Sequence, residues 1–189
     1  MLEKVETMKK KDKLKEILSG AKAKYIIGTV LLSGVGVALP RIFHVLAGST
    51  AGQVFLPMHI AVLIAALAFG TISASIVAGS SVVFSYLLTG MPTIERLPYM
   101  LIELIIYAVL LSLFNKKFNS YISLILTMIL GRIAYAGVLF IAINALALPT
   151  YGISVIQSIK VGIPGLIIQL LCIPFIVKAM KERLNLKND

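Results

Sequence analysis

Two oppositely charged residues stand alone in long apolar runs, Glu103 in LPYMLIELIIYAV and Arg132 in ILGRIAYAG. Either one, isolated in hydrocarbon, costs about 3 kcal/mol or more, so an ionisable group there marks a functional site or half of an ion pair. Both uses satisfy the same desolvation argument: the two side chains pair inside a helix bundle, or they contact a ligand. His44 and His59 flank the string RIFHVLAGSTAGQVFLPMHIAV, with Met58 beside the second histidine. Imidazole and thioether bind soft transition metals. Two histidines 15 residues apart, with no Asp, Glu or Cys nearby, fall short of a ligand set. Hydrogen bonding to a ligand or to loop backbone is the broader use of an imidazole.

Ser85, Tyr86 and Thr89 close the run SSVVFSYLLTGMP and offer hydroxyls and an aromatic face. Tyr86 suits either a ligand contact or an interfacial belt. Gly162-Ile163-Pro164-Gly165 is expected to disturb a helix start, with Gln169 a turn deeper. Freed carbonyls and the amide would then point inward, or the amide would bond a neighbouring helix. Lys160 can snorkel or reach an anionic group. No Gly-x-Ser-x-Gly elbow is present and no acid is placed to orient either histidine, so the expectation is a non-enzymatic protein without catalytic residues or cofactor. No Walker motif is present, and any ATP-driven work would come from a partner. The single cysteine, Cys172, lies in an apolar run and excludes a disulfide or a Cys-based metal site within one chain.

The elements that must position these groups are set by lipid. Of 189 residues 59% are hydrophobic and 14% charged, which excludes an ordinary soluble domain. From Ile42 to Ile94 no Lys, Arg, Asp or Glu occurs, and a span needs only about 20 apolar residues. Runs such as IAVLIAALAF do not alternate, so they are helices rather than barrel strands. Six segments are expected, at 25–43, 54–70, 72–89, 97–114, 120–146 and 161–180. The Phe69-Gly70-Thr71 turn makes the second and third antiparallel neighbours, and the connections at 44–53, 90–96 and 147–160 are longer. The first of these, with Gly48, Gly52 and Pro57, is expected to be a turn-rich loop forming a lid or pocket wall.

Residues 1–24 are expected to form a basic cytoplasmic arm, 25–180 the six-helix domain, and 181–189 a basic cytoplasmic tail. With the amino terminus inside, 14 of the 18 basic residues fall on the inner side, and the positive-inside rule puts both termini in the cytoplasm. The arm's eight Lys suit topology and anionic lipid rather than nucleic acid. Gly34 and Ala38 have small-xxx-small spacing, and Ala and Ser are frequent in segments two and three. Such a surface lets another helix approach closely, within the bundle or from a partner.

Several strings in order resemble the substrate-binding S components of energy-coupling factor (ECF) vitamin transporters. They are ALPRIFH, FLPMHIAVLIAALAFG, SYLLTGMP, IEL and GIPGLIIQLLCIP, and the resemblance covers nearly the whole chain after the arm. It implies an all-α membrane protein of the bacterial plasma membrane. Such a protein captures a small vitamin or precursor, of pyridoxine or cobalamin-precursor type, from outside the cell. Import is then ATP-driven, with a transmembrane coupling subunit and two ATPases. The resemblance implies substrate contacts from His44, His59, Glu103, Tyr107, Arg132 and Gln169, and docking through Gly34 and Ala38. The chain departs from the family where Gly and Ser replace its alanine pairs and where Ser80, Ser81 and Val82 stand in place of Pro. Alternatives are a self-sufficient secondary carrier or channel, and a metal-ion S component using His44 and His59.

Overall fold

The computed structural model describes residues 20–48, 51–144 and 155–184. Most of the arm expected at 1–24, residues 147–154 of the last long connection, and residues 185–189 of the tail lie outside the described residues. All regular structure among the described residues is helical: α1 Ala21–Ala47, α2 Ala51–Phe55, α3 Pro57–Phe69, α4 Thr71–Thr89, α5 Leu97–Phe114, α6 Ser120–Asn144 and α7 Val155–Leu184. Five of these, all but α2 and α3, are long and apolar enough to cross a membrane. Their outward faces carry exposed Leu46, Ile72, Leu88, Ile133 and Phe175, side chains that lipid accepts and water does not. The chain is built as a membrane-embedded helical bundle.

The expected second segment, 54–70, is not one helix. It is split at Leu56, which takes the left-handed conformation (φ 48°), and restarts with Pro57 in its first turn. Proline suits that place because its missing N–H would have no partner in the first turn anyway. The resulting α3 has 13 residues, about 20 Å, too short to cross hydrocarbon alone. It lies instead at the centre, packed against α1, α4, α5 and α7, with every residue except Ile60 buried. An apolar sequence on all sides suits that position, because no face meets water.

The long helices follow one another in the order α1, α4, α5, α6 and α7, each packed on the next, and α2 fills the gap between α7 and α1 at one end. At the other end Lys24 Nζ donates to the Leu184 carbonyl oxygen at 2.7 Å, capping the last turn of α7. The start of α1 and the end of α7 therefore lie together. Gly70 alone joins α3 to α4; its positive φ (82°) makes the reversal, and its N–H caps Ala65 at 3.1 Å. This is the antiparallel pairing expected from the sequence.

Two local expectations need correction. The 44–53 connection is not a turn-rich loop: α1 continues to Ala47, where Gly48 ends it with positive φ, and Ala51–Phe55 is helical. Gly162 to Gly165 do not disturb a helix start, since α7 begins at Val155 and carries Pro164 and Pro174 within it. Pro40 likewise lies inside α1. In a bundle, neighbouring helices and local adjustment satisfy the carbonyls that an internal proline releases.

Glycine lets α7 close on the α2–α3 break. At Gly165 a Cβ would overlap the Val54 carbonyl oxygen and the Phe55 backbone, whereas at Gly79 it would meet nothing within 4 Å. Gly165→Ala is expected to destabilise the protein by about 1–3 kcal/mol through overpacking against immovable backbone. Gly79→Ala is expected to be neutral or to stabilise by up to about 1 kcal/mol through helix propensity. Thermal unfolding of the two purified variants in one detergent checks the contrast.

Candidate functional site

The break at Leu56 releases backbone acceptors inside the bundle. In a continuous helix Phe55 O would accept from the N–H of residue 59, but His59 N–H turns to Leu56 O at 3.0 Å. Gln169, from the middle of α7, replaces the lost donor: its Nε2 lies 3.1 Å from Phe55 O and 3.2 Å from Leu56 O. This is the inward-pointing amide and freed carbonyl expected from sequence, with a different donor of carbonyls. They come from α2 and the break, not from the start of α7.

The restart at Pro57 also fixes His59 in the first turn of α3, aimed at α5. Its Nε2 lies 3.6 Å from Glu103 Oε1, and its ring meets Tyr107 edge-on at 5.2 Å between centroids. Arg132 Nη1 donates to the same Glu103 oxygen at 2.8 Å. Counted from the helix ends on the Lys24 side, His59 is ten residues from Phe69, Glu103 eleven from Phe114, Arg132 twelve from Ser120, and Gln169 fifteen from Leu184. At 1.5 Å per residue, the four lie in one layer about 15–22 Å from that side. Gly131 makes room for the Tyr107 ring, since a Cβ there would stand 2.7 Å from its Cε2.

The layer is buried but incompletely satisfied. His59, Glu103, Tyr107, Arg132 and Gln169 are each at most 7% exposed. Yet both His59 nitrogens, Tyr107 OH, Arg132 Nε and Nη2, and Gln169 Oε1 have no hydrogen-bond partner among the described residues. Buried polar groups in a finished structural core are almost always paired. A cluster with this many free donors and acceptors is chemically equipped to grip a small polar molecule.

The structure thus gathers five of the seven candidate binding residues. His44 is half-buried in the last turn of α1, and Tyr86 is half-buried on α4; no hydrogen bond or ion pair joins either to the layer among the described residues. His44 and His59 are not brought into one ligand set, and no group of three or more His, Cys, Asp or Glu that could hold a metal occurs among the described residues. Lys160 is exposed, in keeping with snorkelling, and so is Cys172.

Sequence reading misses residues that complete the surroundings. Tyr99 and Tyr135 are buried together with Leu139 on the side of the layer away from Lys24. They stand at four residues before Glu103 and three after Arg132, so helical spacing from the two charges is the signal that finds them. Thr127 on α6 is fully buried, with a hydroxyl that has no hydrogen-bond partner among the described residues, a polar residue within the apolar run LILTMIL.

Removing one member of the Glu103–Arg132 pair leaves an uncompensated buried charge. Arg132→Met alone is expected to cost about 3–5 kcal/mol, and Glu103→Leu with Arg132→Met together clearly less than the sum of the two single changes. A double-mutant cycle on unfolding free energies in mixed micelles measures the coupling. Additive losses would mean that the pair carries no mutual stabilisation.

No family model, curated protein or solved structure matches this chain, and its function is therefore read from the site itself.

Proposed function

We propose that this protein is a non-enzymatic, high-affinity capture subunit of the ECF S-component kind, binding a small vitamin or vitamin precursor from outside the cell. The observation that carries this reading is the central layer of His59, Glu103, Tyr107, Arg132 and Gln169, buried yet left with unpartnered hydrogen-bonding atoms. Small-molecule pockets combine apolar and aromatic walls with a few polar groups that fix orientation, and this layer offers both. A half-helix broken near mid-bundle is also how membrane carriers expose backbone and side-chain polar groups to a substrate.

On this reading the chain crosses the membrane six times, with α2 and α3 together making the second crossing. Both termini are cytoplasmic. The meeting of Lys24 with Leu184 supports an even number of crossings, and the basic residues support the orientation. The ligand site then lies about halfway through the bilayer and opens to the outer side, past Tyr99 and Tyr135.

The energy comes from a transmembrane coupling subunit and two ATPases. Their docking face is the apolar groove of about 540 Å³ between α1 and α4, lined by Ser33, Gly34, Val37, Ala38, Ile76 and Ser80 among others. Gly28 and Gly36 are used within the bundle, against Phe69 and Ser81, but nothing lies within 4 Å of where a Gly34 Cβ would stand. Ser80 Oγ donates to Ser33 Oγ at 2.8 Å and ties the two walls of the groove together. Serine thus replaces apolar contact as the link between these helices, where the family carries alanine and proline.

Two measurements test the reading. Native mass spectrometry of the purified chain is expected to show a retained small molecule, and calorimetry with B vitamins and their precursors to show tight binding that His59→Ala weakens at least about tenfold. Gly34→Trp is expected to leave that binding intact and abolish ATP-dependent uptake in cells. Absence of any retained or bound small molecule would sink the capture role; uptake into liposomes holding this chain alone would replace it with a self-sufficient carrier.

A further inference from the structure

We infer that the captured molecule is a small aromatic acid, held by its carboxylate on the side edge of the Arg132 guanidinium and by an N–H or O–H donor on Gln169. The inference rests on the capture reading and specifies its ligand. A guanidinium presents paired donors along two edges, Nη1 with Nη2 at the tip and Nε with Nη2 along the side. Glu103 engages Arg132 through Nη1 alone, at 2.8 Å. Nε and Nη2, the side pair, are buried and have no partner among the described residues. Arg132 is 7% exposed, so water at the bundle surface does not serve these donors. The cation is therefore held from one edge while the other keeps two parallel N–H groups uncommitted. Their spacing matches the two oxygens of a carboxylate, the two-point recognition for which arginine is suited and lysine is not.

A glycine faces the fork. Gly162 on α7 is buried, and a Cβ there would stand 3.7 Å from Arg132 Nη2 and 3.1 Å from Leu56 Cδ1. The missing side chain lets α7 pack closely over Leu56 and the free edge of the guanidinium. Gln169 lies seven residues, about two turns, further along the same face of α7. Its Nε2 is committed to Phe55 O and Leu56 O, so the amide cannot turn to offer a second donor. Gln169 Oε1 remains a buried acceptor without a partner among the described residues. A molecule answering both demands carries an acceptor pair at one end and a donor elsewhere. The edge-on rings of His59 and Tyr107 in the same layer favour an aromatic body over an aliphatic chain.

The test uses the purified full chain in detergent and three pairs of probes that differ at the acid: pyridoxate with pyridoxine, nicotinate with nicotinamide, and para-aminobenzoate with para-aminobenzamide. Ligand-dependent thermal stabilisation gives apparent affinities. At least one acid is expected to bind on the order of a hundredfold more tightly than its neutral partner, the scale set by a desolvated charged pair. Arg132→Lys, which keeps the charge and loses the fork, is expected to erase that preference. Gly162→Ala, which removes no polar group, is expected to weaken the acid about tenfold by pressing on Leu56 and shifting the guanidinium edge. Neutral partners binding as well as the acids, or no acid binding at all, would overturn the inference. A retained molecule lacking a carboxylate in native mass spectrometry would overturn it too, while leaving the capture reading intact.

Discussion

A carbonyl oxygen released inside a helix bundle must find a donor from the protein, because hydrocarbon supplies none. The split between α2 and α3 releases such an oxygen at Phe55, and Gln169 answers it from α7, 114 residues along the chain. Much of the centre depends on this exchange. It holds α7 against the break, where Gly165 lets the two backbones meet. It also fixes the direction in which α3 restarts, and hence the aim of His59 toward Glu103. A leucine in the left-handed conformation costs about 1–2 kcal/mol by itself. It persists because packing on both sides leaves it no alternative, which is how strained backbone survives at functional positions.

The charged pair follows a different economy. Desolvating a carboxylate and a guanidinium is costly, and their attraction returns the cost only when the remaining donors and acceptors are also met. Here one Arg132 nitrogen is met and two are not. A bundle selected for stability alone would fill this layer with leucine. The unsatisfied layer is instead a store of interaction that a suitably shaped ligand can collect, and the local departure from complete pairing is where function is most readily located.

Much of this was legible in the sequence, for physical reasons that vary by residue. The segment 97–114 coincides with α5 because Pro98 and the Asn115-Lys116-Lys117 string punctuate both of its ends. Glu103 and Arg132 were visible as lone charges, but their pairing is tertiary and needs two helices in register. Gln169 was found as an inward amide, although the carbonyls it meets belong to a part of the chain that spacing within α7 cannot reveal. The split at Leu56 was hidden, since FLPMH reads equally as a loop end or a helix start. That α3 is central was hidden too: an all-apolar helix of this length has the same composition whether lipid or protein surrounds it. Prolines 40, 164 and 174 are poor boundaries here because packed neighbours absorb their effect.

The same long-range hydrogen bond bears on how the protein is made. Among the described helices, chain synthesis delivers α3 when α1 is its one long neighbour, and its other partners, α4, α5 and α7, come afterwards. Phe55 O therefore waits for Gln169 until 114 more residues have been delivered, and Lys24 waits for Leu184 across 160. The organising helix of this bundle is thus made well before it is secured. Its assembly is a matter of order in time as much as of arrangement in space.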